Sequence, residues 1–448
     1  MHSPNVSLRP AVVSSSTTAA IVIGLLLPLV ANAQFQLAQS QPVSPKLVKA
    51  GRVLDVASGR YLSNQGILTE GEKIKDIGPW ERIKGEAPQN AIFIDLGSAT
   101  VLPGLIDCHS HLLVSMPPTN GGESIVAAVA LMSPEFRTLI GARHAKEYLE
   151  AGVTAVRVVG HSGIQGDIAL RDGIAAGLVP GPRLQAAGRK ITPPGGQAVW
   201  LQPAISKQLL EQEYIPVSGP NDARRAVREN LAIGADLIKI VVDAGAGPSW
   251  KSRYLAPEDA KAIVEDAHRL GLRVAAHAES RAAIQTAIDA GADSIEHAFD
   301  PTDAQLQAMQ QKGIFLVATD LPDNPEDPPS QLLTDRLQRA MKIGVKIAMG
   351  SDLWLAPRQG RTYGQEALLD LKFLALEGMS NIDVIRSATI NAAELMGTSR
   401  VSGQIAPGMF ADIIAVSADP LQDIKSLQSV RFVMKGGEVV KSEFATQQ

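Results

Sequence analysis

From Gly152 onward one arrangement of apolar and polar positions recurs. An amphipathic helical stretch comes first, then a glycine where the helix should stop, then a short run of β-branched and apolar residues. The glycines and the runs they precede are Gly152 (153–159), Gly234 (236–242), Gly271 (272–277), Gly291 (293–297), Gly313 (314–318) and Gly344 (345–349). Adding 105–111 and 182–187 gives eight predicted strands, each apolar along nearly its whole length, as strands covered on both faces must be. Strands alternating with helices in this way predict an α/β fold, with residues 104–400 closed into a (β/α)8 TIM-like barrel. A doubly wound open sheet is the alternative. It is disfavoured because no glycine-rich phosphate loop follows the first strand.

Two segments lack the repeat. Residues 46–103 and 401–448 carry short alternating strands between turns, with Gly436-Gly437 as a hairpin turn. Neither can bury a core alone, so the two are expected to pair as parts of one small composite β-sandwich, with the boundary at Pro103-Gly104. Further upstream, Arg9, an apolar run from Ala19 to Val30 broken by Pro28, and the small-x-small Ala31-Asn32-Ala33 have the order of a signal peptide over 1–33, with 34–45 as a linker. The apolar run falls short of the ~20 residues that a spanning helix needs. Export to the periplasm or medium without a stable membrane anchor is therefore expected.

Composition narrows the partners. With 448 residues, 45% of them hydrophobic, the chain can bury a large core, and a formal net charge of -4 without any basic run leaves no footprint for nucleic acid. A small-molecule or dipeptide substrate fits better. The lone Cys108 cannot form an internal disulfide, and the sequence leaves a homo-oligomer open.

The chemistry stands at the strand ends, where a barrel of this kind keeps its active site. Strand one closes on His109-Ser110-His111, strand five on His277, strand six on His297, and Asp352 follows strand eight. Alternation puts His109 and His111 on one face, within reach of one ion. Four of the chain's eight histidines fall at these positions, whereas His2 lies in the signal segment and His144 and His268 read as solvated or capping residues of helices. Lys239 interrupts the apolar run Leu237-Ile238-Lys239-Ile240-Val241, where an unpaired ammonium is costly. Two readings neutralise it: reaction with carbon dioxide to give a carbamate that bridges two divalent ions, or an ion pair with Asp352 or Glu296.

These residues resemble the amidohydrolase superfamily, in particular its prolidase-like and imidazolonepropionase-like branch. The resemblance lies in Gly104-Leu105-Ile106-Asp107-Cys108-His109-Ser110-His111, Lys239, His277, Ile295-Glu296-His297-Ala298, Gly350-Ser351-Asp352 and Ala388-Thr389-Ile390-Asn391-Ala392-Ala393-Glu394, continuing through 403–412 and 434–437. It implies a binuclear metal-dependent hydrolase of amide bonds. One ion is then held by His109, His111 and Asp352 and the other by His277 and His297, with carboxylated Lys239 between them. Zinc is the expected metal, since imidazole and carboxylate suit it. A hydroxide shared by the two ions is the expected nucleophile and Asp352 the catalytic proton carrier. Where the branch often has a histidine after a glycine pair, this chain has Gly195-Gly196-Gln197, and His161 stands in the turn after strand two. Gln197, His161, Arg253 and Tyr254 are the candidate substrate-binding residues, the last two for a substrate carboxylate. Trp250 and Lys251 share their loop; Arg358, Arg361 and Tyr363 are read as part of the specificity-setting loop after strand eight, and 320–330 is a candidate lid.

The expected substrate is a dipeptide, a C-terminal amino acid or an N-acyl amino acid conjugate. Two alternatives are a mononuclear deaminase or cyclic-amide hydrolase, and an exported metal- or ligand-binding protein without turnover. Lys239 argues against the first, and a candidate general base against the second. The export reading predicts that chain recovered from outside the cytoplasm begins at Gln34; terminal sequencing that finds Met1 on the exported chain overturns it.

Overall fold

The structure is a computed structural model that describes residues 44–115, 128–129, 131–197, 204, 207, 211–244, 253–358 and 360–444. The expected signal segment, most of the expected linker, Trp250 and Lys251 lie outside the described residues.

Both terminal segments contribute to one eight-stranded sheet. Lys46–Asp55, Arg60–Glu70, Lys73–Pro79, Ile92–Asp95 and Thr100–Pro103 come from the first segment, and Ile413–Val416, Phe432–Lys435 and Glu438–Ser442 from the last. The junction is antiparallel, with Ile413 opposite Pro103 and Val416 opposite Thr100. Alternate residues such as Val48, Val53, Ile67, Val101, Ile413 and Phe432 bury one shared apolar cluster, as a half-covered sheet requires. The turn between the last two strands has Gly436 at φ 55° and Gly437 at φ 75°; two successive left-handed residues are what a tight hairpin demands. A helix that alternation had hidden, Trp80–Glu86, lays Trp80 and Ile83 on Leu47 and Leu68.

The remaining chain is mixed α/β with parallel sheets. Each run predicted as a strand forms one: β1 (Leu105–Ser110), β2 (Val153–Val158), β3 (Arg183–Ala186), β4 (Leu237–Val241), β5 (Arg273–Ala278), β6 (Ser294–His297), β7 (Phe315–Val317) and β8 (Ile347–Ala348). Parallel pairing joins β1 to β2 to β3, and β4 through β8 in order. Lys190–Thr192, just beyond β3, pairs with β4 through Ile191 and Ile240, and Asp236 N donates to Ala186 O at 2.8 Å. At the other end Cys108 N, in β1, donates to Met349 O beyond β8 at 2.9 Å. The glycine stops work as predicted: Gly152 and Gly344, for example, cap their helices in the left-handed region at φ 102° and 89°.

One expectation is corrected. His144 is not a solvated helix residue: it is buried, its Nδ1 lies 2.7 Å from Leu112 O, and its ring stacks at 3.8 Å on Tyr363. The face of Pro134–Ala151 that carries it also carries buried Gly141, Ala145 and Tyr148, so the helix turns it inward. His268 does occupy a helix end, paired with Asp293 at 2.8 Å.

Gly104 forms the seam between terminal sheet and β1. Its N–H donates to Asp412 O at 2.9 Å, and a Cβ there would lie 2.1 Å from Thr154 Oγ1 and 2.7 Å from Thr154 Cβ, so rotating the threonine cannot clear it. Gly104→Ala is expected to lose about 1–3 kcal/mol, read as a lower urea midpoint. An unchanged midpoint would show that the seam yields.

Candidate functional site

Strand ends converge on a cavity of about 290 Å³ lined by His109, His111, Lys239, His277, His297 and Asp352. The ligand atoms of His109, His111 and Asp352 all lie within 4.8 Å of one another. Asp352 Oδ1 stands 3.4 Å from His109 Nε2 and 3.1 Å from His111 Nε2, and Oδ2 stands 3.8 Å from His297 Nδ1. The rings of His277 and His297 meet edge to face at 4.5 Å. Residues more than 240 positions apart thus share one wall.

Three imidazoles are oriented from behind through Nδ1. His109 Nδ1 is 2.6 Å from Glu296 Oε2, His111 Nδ1 is 2.9 Å from Gly160 O, and His297 Nδ1 is 2.8 Å from Thr319 Oγ1. A partner on Nδ1 fixes the tautomer that leaves Nε2 as an electron-pair donor, the usual preparation for a metal ligand. Glu296 is itself held by Arg157 Nη2 at 2.9 Å, and Asp107 ties β1 to the loop after β8 by accepting from Ser351 Oγ at 2.7 Å and His109 N at 2.9 Å. Burial, with Lys239 next, brings His109 down to about 4; burial brings His297 down to about 3. Neutral imidazoles are the form that binds cations.

Lys239 Nζ is buried and has no hydrogen-bond partner, and no carboxylate of the described residues forms a salt bridge with it. Burial lowers its amine to about 8. His277 Nε2 is likewise buried without a hydrogen-bond partner. With Lys239 Nζ orphaned and His277 Nε2 no closer to a carboxylate of the described residues than the 3.5 Å to Glu279 Oε1, the cavity fits divalent cations and a carboxylated lysine, because an unpaired donor or acceptor otherwise costs about 1–3 kcal/mol.

The backbone is unusual here as well. The described residues include six non-glycine positions of positive φ, and five of them are His161, His297, Ala298, Thr319 and Asp352. Such conformations concentrate where surrounding contacts force side chains into a functional direction. At His297, φ 74°, the carbonyl is gripped by Arg336 Nη1 from the helix Gln331–Ile343.

His161 and Gln197 also line the cavity. Tyr254 is 52% exposed and lies outside its lining, and the Arg253 side chain is outside the described residues. Tyr363 is not a loop residue but a buried helical one, its hydroxyl donating to Leu353 O at 2.5 Å. Arg361 pairs with Glu366. Arg358, with Leu321 and Asp323 of the 320–330 segment, lines a second cavity that shares Asp352 and Trp354 with the first.

Sequence reasoning passed over Lys190, Glu279, Phe299 and Trp354, which complete the lining with Val114. Lys190 carried a legible signal: like Lys239, it is a cation in a short β run, Lys190-Ile191-Thr192, and all three residues are buried. Glu279, two residues past His277, stands 3.5 Å from His277 Nε2; burial and Asp243 raise its carboxyl to about 7.

Known proteins are similar to this chain. The model of the amidohydrolase family matches residues 100–440. Ochratoxinase of Aspergillus niger is 31% identical over 384 residues, 76% of this chain and 75% of its own length. Imidazolonepropionase of Deinococcus deserti is 26% identical over 373 residues, 77% of this chain and 84% of its own. Among solved structures, a Xaa-Pro dipeptidase with bound methionine in the active site is similar with a TM-score of 0.75 and 29% identity, covering 88% of this chain and 99% of the other.

The hydrogen bond from His109 Nδ1 to Glu296 holds the imidazole in its orientation. Glu296→Gln can satisfy His109 or Arg157 with its single oxygen, but not both, so zinc affinity should fall about 10–100-fold in a chelator competition. Unchanged affinity would remove Glu296 from the orientation of His109.

Proposed function

Because the chain belongs to the amidohydrolase family and is a metal-dependent hydrolase of carbon–nitrogen amide bonds, we propose that its cavity holds two divalent ions and cleaves a dipeptide, a C-terminal amino acid or an N-acyl amino acid conjugate. The observation that carries the binuclear reading is Lys239 Nζ, buried without a partner in the cavity that the four histidines and Asp352 also line. His109, His111 and Asp352 would hold one ion, His277 and His297 the other, and Lys239, carboxylated at Nζ, would be common to both. Zinc is the metal of first choice. When bound, such ions polarise an amide carbonyl and acidify water.

The chain's own residues do the remaining work. Asp352 takes a proton at its carboxylate as water adds to the amide carbon, and passes it to the nitrogen that departs. Its position supports this: φ 47° turns the side chain into the cavity mouth, where it is flanked by His109 and His111 and shared with the second cavity. Phe299 and Trp354 supply an apolar wall that excludes bulk water from the amide. We also propose that β1 through β8 form a closed (β/α)8 barrel, and that the single terminal sheet, folded over the apolar cluster that Val48, Ile67 and Ile74 share with Ile413, Phe432 and Met434, makes up the composite β-sandwich. The parallel pairing in sequence order and the hydrogen bond from Cys108 to Met349 support that closure.

Asp352→Asn is expected to fold and to lose about 10²–10⁴-fold in kcat against a panel of dipeptides and N-acyl amino acids. Wild-type turnover in that variant removes Asp352 from the reaction. Lys239→Ala is expected to lose bound metal, with the carbamate seen by native mass spectrometry only in metal-loaded wild type. Two metals on an unmodified lysine contradict the bridge; a single metal per chain favours the mononuclear deaminase or cyclic-amide hydrolase.

A further inference from the structure

The cavity wall contains a second buried lysine, and no carboxylate of the described residues forms a salt bridge with it. Lys190, in the strand Lys190–Thr192, is 2% exposed. Its Nζ contacts His161 Nε2 at 2.6 Å and Gln197 Oε1 at 2.5 Å, both parts of uncharged groups, and lies 5.2 Å from the centre of the Tyr214 ring. Two carboxylates reach it through space, but both are engaged: Glu213 with Arg137 at 2.6 Å, and Asp352 with His109 and His111. An ammonium carries three donors, so one is left for whatever enters the cavity that Lys190 lines. Burying a cation without its counter-charge is costly, and an anionic group of a ligand in this cavity would supply the missing charge.

The approach of this side chain is built into the backbone. At Gly160, just past β2, φ is 107°, and a Cβ would lie 2.6 Å from Lys190 Cγ and 2.9 Å from Cδ. Only glycine lets the lysine stem pass there. The His161 ring that Lys190 contacts is centred 4.8 Å from the His111 ring, so the amine stands one imidazole away from the proposed metal ligands.

We propose that Lys190 is the specificity-determining residue of this cavity, binding the free carboxylate of the amino acid on the leaving side of the amide. The substrates are then N-acyl amino acids or peptides cleaved at their C-terminal residue, and Val114, Phe299 and Trp354 take an apolar side chain. This rests on the amide-hydrolase reading of the site. Burial, and then Lys239, hold the Lys190 amine well below the ordinary lysine range; a bound carboxylate offsets both and favours the charged form.

The test compares N-benzoyl-L-leucine with N-benzoyl-L-leucinol, the same amide with and without the carboxylate, on metal-loaded protein. Wild type should prefer the acid by about 10–100-fold in kcat/KM, as a charge-assisted hydrogen bond allows. Lys190→Met should lose that preference while keeping its metal. Gln197→Glu, which supplies an internal anion to Nζ without deleting the lysine, should lose it too. Equal kcat/KM on the two amides in wild type, or a preference that survives both substitutions, overturns the proposal. If neither amide is hydrolysed, calorimetry with L-leucine and L-leucinol decides. Tighter binding of leucine that Lys190→Met abolishes supports the Lys190 subsite and moves the failure to the hydrolytic reading; equal or absent binding overturns the subsite.

Discussion

Charge balance at the floor of the cavity is the constraint on which the rest of the structure turns. Glu296 is fully buried between His109 on one side and Arg157 on the other, and Arg157 also reaches back to Cys108 O at 2.5 Å. This chain of contacts ties β1, β2 and β6 to one another beneath the imidazoles. Buried ions are tolerated only when paired and hydrogen-bonded. The orientation of His109 therefore belongs to the same network that makes the floor stable, and the strands cannot be shifted in register without leaving a bare charge.

The rim is governed by backbone strain instead. Asp352 and His297 both adopt left-handed conformations, and each is secured by a main-chain bond: Asp352 N donates to His109 O at 2.8 Å, and Arg336 holds His297 O. Such conformations cost of order 1–3 kcal/mol each. They are sustained by these bonds and by the paired charges beneath them. Arg336 extends the arrangement, since its other guanidinium nitrogen pairs with buried Asp320, next to Leu321 in the lining of the second cavity.

The strands were legible because their physics is local. Six glycines sit where helices must turn left-handed, and the runs that follow must be apolar on both faces. Lys239 was legible for the opposite reason, as a charge in a place that admits none. His144 was misread because a helix face is turned inward only by its neighbours, here Gly141, Ala145 and Tyr148. Tyr363 was misread for a related reason: it follows an irregular loop, and its burial depends on backbone carbonyls of Leu353 and Val114 that no local pattern reveals. The left-handed residues at the rim were invisible, since histidine, threonine and aspartate advertise no positive φ. Lys190 was visible in principle, but its run of three residues was too short to stand out beside the five around Lys239.

The antiparallel seam between Thr100–Pro103 and Ile413–Val416 has a consequence for biosynthesis. A ribosome delivers the first strand of that pair long before the second exists, so the edge of the nascent sheet stays open while the whole helical and parallel-stranded portion is being made. Unpaired edges invite pairing with foreign strands, and distant partners slow folding. Completion of this sheet is thus gated by Ile413–Val416 and the strands after it, which act as a clasp and make any chain released before them a sticky fragment.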